Sequence, residues 1–276
     1  MNPSEVVLGA VAYDPKVVTI WDGFRTWFRA QGLRFDVVLY SNYESQVEAL
    51  LARQITVAWN SPLAWVRARR AAAADGRSAQ AIAMRDTDQE LTSLILVRSD
   101  APQRSLADLR GLTVATGAID SPQATLLPLG LLHRSGLVPG RDVAVRRFDL
   151  HVGMHGDHIG GEREAVRALM RGEADAACII DANHLLFTHE GILSGSSVRI
   201  LARTEPYDHC NVTALDSPPV LDGPLAEFQR LLLGMSYADA AVRPLLDLEG
   251  LTAWRAGRVT HYRALEEAVD ALAFYD

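Results

Sequence analysis

The hydrophobic pattern of this chain switches repeatedly between short continuous runs and helical spacing. Val6 to Ala12 is an apolar run that predicts a strand, closed by Tyr13-Asp14-Pro15. Val17 to Gln31 then sets Val18, Trp21, Phe24, Trp27 and Phe28 along one side of a helix, which Gly32 stops. Phe35 to Tyr40 is a second strand, followed by Ser41-Asn42-Tyr43 and a helix over Glu44 to Arg53 that Ser41 or Asn42 can cap. Ile55 to Trp59 is a third strand. Asn60-Ser61-Pro62 follows, and Pro62 suits the first turn of a helix over Leu63 to Ala74. Three strand–loop–helix units in succession predict a parallel sheet with right-handed crossovers. Their loops carry Tyr13 and Asp14, Ser41 and Tyr43, and Asn60 and Ser61 to one sheet edge, where open α/β sheets bind ligands.

Further along, Gln80 to Met84 and Thr92 to Arg98 read as strands, and Ser99-Asp100-Ala101-Pro102 breaks the pattern. A crossing into a second lobe is therefore expected near residue 98. Ser105 to Gly111 is a short helix, Leu112 to Thr116 a strand, and Thr116 to Ala124 a Gly-and-polar loop opening a helix that runs to Ser135. Val143 to Phe148 is the next strand. His151 to His184 reads as a loop, a helix, a strand and a second loop. His155-Gly156-Asp157-His158 is the first loop, Glu162 to Arg171 the helix, Ala174 to Ile180 a buried strand, and Asp181-Ala182-Asn183-His184 the rim that follows. Ser197 to Ala202 is a strand, the chain returns near Arg203 to Tyr207, and Asp208 to Ala214 is another strand. Pro224 to Tyr275 is mostly helical core packing. The expected architecture is α/β with two lobes, each a mostly parallel sheet flanked by helices, and a cleft between them. One lobe takes residues 1–97 and 206–276, the other 98–205.

Composition changes this picture little. A chain of 276 residues is long enough for two cores, and 49% hydrophobic with 22% charged residues is ordinary for a globular protein. A net charge of −7 gives no footprint for nucleic acid, and no apolar run approaches a membrane span, so neither partner is expected. The first residues lack the basic segment and long apolar stretch of a signal peptide. The expectation is a cytoplasmic protein, or a periplasmic or extracellular one whose leader has been removed. Cys178 and Cys210 make no disulfide framework, and Cys178 lies in an apolar strand as a small core residue.

Candidate chemistry gathers at the strand ends. His155 and His158 with Asp157 offer imidazole and carboxylate ligands for a divalent metal, which His209 and Cys210 can complete; the alternative is that His155 and Asp157 cap the following helix. Asp181 either faces a cationic group or a histidine, or caps the next turn. His155, His158 and Asp181 are the candidates for acid–base work. Cys210 as a nucleophile would need a base, and neighbouring side chains on a strand point to opposite faces, so His209 is a poor one. Tyr13 and Tyr43 are candidate ligand walls; Trp21, Trp27 and Phe28 belong to a core, and one of Trp59 and Trp65 can line the site.

Three segments carry a family resemblance. Tyr43 to Leu51 with the strand to Trp59 and Asn60-Ser61-Pro62, the segment Ser105 to Gly111, and Gly153-Met154-His155-Gly156-Asp157 with Gly172 to Ala177 resemble the phosphonate-binding (PhnD-like) solute receptors of ABC transporters, over roughly residues 8–205. The resemblance implies a type 2 periplasmic-binding-protein-like fold, a ligand held between two lobes and an ABC permease as partner. It also implies an anion seated on a helix N-terminus and an amine met by carboxylates and tyrosines. Carried over, it assigns Tyr13, Tyr43, Asn60 and Ser61 to the first lobe's contacts and Asp120, Ser121, His155 and Asp181 to the second's. With Gln123, Asp157, His158 and His184 from the same loops, these make up the candidate ligand set. The second-lobe loop here reads Asp120-Ser121-Pro122-Gln123-Ala124 rather than Ser-Thr-Ser-Gly, and an Asp there opposes a dianionic phosphonate. The same scaffold carries cytosolic enzymes, such as the chorismate dehydratase of menaquinone synthesis. Two functions follow: binding of a small polar, anionic metabolite, or a cytosolic lyase, hydrolase or cofactor-biosynthesis enzyme using the His/Asp cluster, with or without a metal.

Overall fold

The structure is a computed structural model that describes residues 5–149, 159–194, 196–216 and 221–275. Two compact units emerge: Met1–Gln89 with Asp208–Thr260, and Glu90–Tyr207 with His261–Asp276.

The first unit opens with β1 (Val6–Val11), α1 (Pro15–Ala30), β2 (Phe35–Tyr40), α2 (Tyr43–Leu51), β3 (Val57–Asn60), α3 (Pro62–Ala74) and β4 (Ala79–Arg85). Each loop before a helix ends in a residue whose side chain accepts a backbone N–H. Asp14 accepts from Lys16 at 2.8 Å, Asn42 from Ser45 at 2.8 Å, and Ser61 from Ala64 at 3.2 Å. Such caps are worth about 1 kcal/mol each and fix where each helix begins. The chain returns as β10 (Asn211–Leu215), α7 (Gly223–Leu233), α8 (Arg243–Glu249) and β11 (Trp254–Ala256). The sheet order is β11-β4-β10-β3-β1-β2. Pairing of β1 with β2 and β3 is parallel, but β10 runs antiparallel to both β3 and β4, and β11 antiparallel to β4. Behind the sheet lies an aromatic core. Trp21, Phe24 and Phe28 of α1 are buried against Phe35, Trp59, Phe228 and Trp254; the Phe28 and Phe35 rings are 4.6 Å apart, and Trp59 meets Trp254 edge-on at 5.5 Å. Trp27 packs beside this core, partly buried, and Trp65 is fully buried.

The second unit contains β5 (Ser93–Arg98), β6 (Thr113–Thr116), a π-helical turn (Pro122–Leu126) leading into α4 (Leu127–Arg134), β7 (Ala144–Arg147), α5 (Ile159–Met170), β8 (Ala176–Ile180), α6 (Asp181–His189) and β9 (Val198–Arg203). Its sheet order is β7-β6-β8-β5-β9, with β6 parallel to β7 and β8, and β5 antiparallel to β8 and β9. The C-terminal α9 (Arg263–Ala271) packs on α4, where Gly130 leaves room: a Cβ there would stand 2.6 Å from that of Ala268.

Four expectations are corrected. The crossing precedes β5, at residues 89–90 rather than near 98, because β5 pairs with β8 and β9. The tail from His261 groups with the second unit rather than the first. Both sheets are mixed rather than mostly parallel in their pairing, since one reversed strand is inserted into each: β10 between β3 and β4, and β5 between β8 and β9. Asp181-Ala182-Asn183-His184 is not a loop but the first turn of α6, which starts directly at the end of β8. The tail also holds β11, which its helical spacing conceals.

Candidate functional site

The strand directions decide what meets at the first unit's edge. Because β10 and β11 are reversed, their beginnings lie beside the carboxyl ends of the other strands. Val11 is level with Tyr40, Asn60 with Asn211, and Arg85 with Trp254. One rim thus collects the segments after β1, β2, β3 and β4 and those before β10 and β11.

Arg85 anchors this rim. It ends β4, and its guanidinium lies 5.3 Å from the Trp59 ring centroid, a cation–π contact. It donates from Nε to Asp88 Oδ2 at 2.6 Å and from NH2 to Oδ1 at 2.9 Å, while NH1 reaches the Glu249 carbonyl at 2.9 Å and Oε1 at 3.3 Å. Asp88 lies in the 3₁₀ turn Asp86–Asp88 that follows β4, and its carbonyl accepts the His209 N–H at 2.8 Å. That backbone bond brings the His209 ring over: Nδ1 is 3.5 Å from Asp88 Oδ1 and 3.1 Å from Cys210 Sγ. Nearby, Arg258 clamps the fully buried Asp208 through two bonds of 2.7 Å.

Burial sets the charges of this cluster. Desolvation pushes Asp88 up, yet Arg85 and His209 outweigh it and hold the carboxyl at about 2. For Glu249 desolvation wins: despite Arg85, its carboxyl is raised to about 7. Burial lowers His209, but Cys210 and Asp88 more than offset it and lift the imidazole to about 10. Tyr43 is pushed well up, first by burial and then by Cys210 and Tyr13 beside it. Tyr13 and Tyr43 follow β1 and β2 on the same rim, Tyr13 with 47% of its surface exposed.

Asn60 and Ser61 sit on this rim with their side chains committed inside the unit. Gln46 donates to Asn60 Oδ1 at 2.8 Å, Asn60 Nδ2 to Thr213 Oγ1 at 2.8 Å, and Thr213 Oγ1 to Asn211 Oδ1 at 2.7 Å. Ser61 is a helix cap. The geometric argument against a His209–Cys210 contact is corrected. Both residues precede the first residue of β10, so strand alternation does not apply, and the two side chains turn toward each other.

In the second unit the parallel strands again end at one rim, with Ser93 level with Ile180 and Leu94 with Arg203. Asp181 accepts the Thr92 hydroxyl at 2.7 Å and Arg203 NH1 at 3.0 Å, and it caps nothing. The carboxylate of the buried Glu162 takes the Ile180 N–H at 2.9 Å and the Asn183 amide at 2.8 Å. Ser121 is buried and accepts the Ala124 N–H at 3.1 Å; Asp120 is buried beside it. Gln123 is also buried, and its Oε1 has no hydrogen-bond partner. His184 is partly exposed on α6, with Leu185 beside it at 76% exposure. Cys178, fully buried in β8, has its thiol pushed well up by desolvation, which makes it inert. His155, Asp157 and His158 lie outside the described residues.

Sequence reasoning did not single out Arg85, Asp88, Glu249 or Glu162. Met84-Arg85-Asp86-Thr87-Asp88 carried the available signal: three charges directly after an apolar strand. Among the described residues no helix is long and apolar enough to cross a membrane.

Residues 10–262 match the family model described as ABC transporter, phosphonate, periplasmic substrate-binding protein. The chain belongs to this family. No curated protein sequence matches it. Among solved structures, the chain is similar to PhnD1 from Prochlorococcus marinus in complex with methylphosphonate (TM-score 0.65, 18% identity, covering 99% of this chain and 100% of that one). It is similar to XAC2383 from Xanthomonas citri bound to ATP (TM-score 0.70, 19% identity, 99% and 98%). A third likeness is the aliphatic sulphonate binding protein SsuA from Escherichia coli (TM-score 0.55, 19% identity, 99% and 87%). At these identities the likeness shows the fold, the two-unit α/β architecture of type 2 periplasmic binding proteins.

Proposed function

We propose that this solute-binding protein takes a small oxyanion with a polar body, of the phosphonate or sulfonate class, and delivers it to an ABC permease outside the cytoplasmic membrane. The observation that carries this reading is the family match over residues 10–262. The first unit's rim supplies fitting chemistry. Asp88 and Glu249 engage most of the N–H groups of Arg85, so its contribution is positive potential more than bonds. The phenols of Tyr13 and Tyr43 give donors and aromatic walls. In the second unit, Gln123 keeps an amide oxygen for a polar ligand, whereas Ser121 serves its helix and Asp181 serves Arg203.

Calorimetry and thermal melts against methylphosphonate, 2-aminoethylphosphonate, ethanesulfonate, phosphate and sulfate test the reading. A cognate ligand at a hundred times its Kd should stabilise the protein by about 2.7 kcal/mol, with one saturable site and no product. Tyr13→Phe should weaken that binding by about 2- to 10-fold. Absence of stabilisation by any of the five, or turnover of one of them, would overturn it.

A further inference from the structure

The Asp88–His209–Cys210 group lies outside anything the family match assigns. We propose that these three side chains form a binding site for a zinc-class divalent ion, with thiolate, imidazole and carboxylate as ligands and a fourth position open to water or an anion.

Geometry carries the proposal. Donors at about 2.0–2.3 Å from zinc in a tetrahedral shell stand about 3.3–3.6 Å from one another. Here Nδ1 of His209 is 3.1 Å from Cys210 Sγ and 3.5 Å from Asp88 Oδ1. All three donor atoms fall within 4.8 Å of one another, so an ion draws them together by about an ångström at most. The set mixes a soft sulfur with nitrogen and oxygen, a combination that favours zinc over magnesium or calcium.

The surroundings support such a site. Two chain segments are pinned together by the His209 N–H to the Asp88 carbonyl, at 2.8 Å. Arg85 holds both carboxylate oxygens of Asp88 and fixes their direction. Each oxygen has two acceptor positions, so Oδ1 can serve Arg85 and an ion together, and Arg85 becomes the group that orients a ligand. The nearby guanidinium opposes a second cation, and this shapes the site. Thiolate and carboxylate balance the two charges of the ion, and the charge of Arg85 is left for an anion at the open position to neutralise. Side-chain exposure of 22% at His209 leaves an entry path, while Asp88 at 2% is sheltered.

The rival is a proton: the same three groups joined by hydrogen bonds alone. Metal-stripped full-length protein, without added ligand, separates the two when titrated with Co²⁺ and then with Zn²⁺. Coordination predicts one equivalent of Co²⁺ with a sulfur-to-cobalt absorption band that Zn²⁺ abolishes. Cys210→Ser should remove the band and lower the Zn²⁺ affinity at least 10-fold. His209→Gln should lower that affinity similarly. Cys178→Ala should keep the band. Absence of a sulfur-to-cobalt band in the parent, or a band and affinity unchanged in Cys210→Ser, would overturn the site. Measuring oxyanion binding on the same stripped protein lets either reading fail without the other.

Discussion

The two rims are built to one plan and hold their charges differently. In each, parallel strands end together and one reversed strand is inserted beside them. The first rim sets the partly buried Arg85 and His209 against the buried carboxyls of Asp88 and Glu249, so each charge depends on its neighbours. The second sets its Arg203–Asp181 pair near water, at 47% and 34% side-chain exposure, and commits its buried Glu162 to a backbone N–H and an amide. Topology therefore fixes where polar groups gather; burial fixes how strongly they interact.

The largest effect should come from cutting the first cluster. Arg85→Met leaves Asp88 buried beside its remaining neighbours without the guanidinium, at a cost of about 3–5 kcal/mol in denaturant unfolding. A loss below about 1 kcal/mol would place this cluster in the surface class and erase the contrast.

Next comes pH. The Glu249 carboxyl is raised from 4.5 to about 7, so between those values the folded state binds more protons than the unfolded chain. Stability from this group is therefore full below pH 4.5 and declines as pH rises toward 7, by up to about 3 kcal/mol at 1.4 kcal/mol per unit. Glu249→Gln should flatten that decline in unfolding curves taken from pH 5 to pH 8. An unchanged slope would assign the decline elsewhere.

Smaller changes are expected in the second unit. Ser121→Ala removes the acceptor of the Ala124 N–H and should cost about 1 kcal/mol. Arg203→Met should cost less than about 1 kcal/mol and lose even that in high salt, because its pair is exposed. Losses at Arg203 equal to those at Arg85 would show that the two rims are not distinguished by burial.

Much of the scaffold was legible because its signals are local. The runs Val6–Val11 and Phe35–Tyr40 are continuous and apolar, and Asp14, Asn42, Ser61 and Ser121 each stand directly before a helical turn, where all four act as caps. The site was less legible because its contacts are not local. Asp88 and His209 belong to segments separated by residues 90–207 of the second unit, and Glu249 arrives from later still. Ser61 and Ser121 were expected at a ligand; each accepts the N–H of its helix's first turn and keeps its own O–H to donate. The rule of strand alternation misled at His209-Cys210 because the strand starts one residue later. Placement of β5 misled for a related reason: an apolar strand shows that it will be buried, not which sheet buries it.

The insertion of β10 between β3 and β4 also bears on how the polypeptide matures. All five strands of the second sheet lie within residues 93–203, so that sheet can close as soon as its own segment has been made. The first sheet has no such autonomy: β3 and β4 are joined only through a strand that leaves the ribosome more than a hundred residues after them. Until then both present unpaired edges, the form of backbone most prone to unwanted pairing between chains. The amino-terminal half of the nascent protein is thus the part that most needs shielding before synthesis ends.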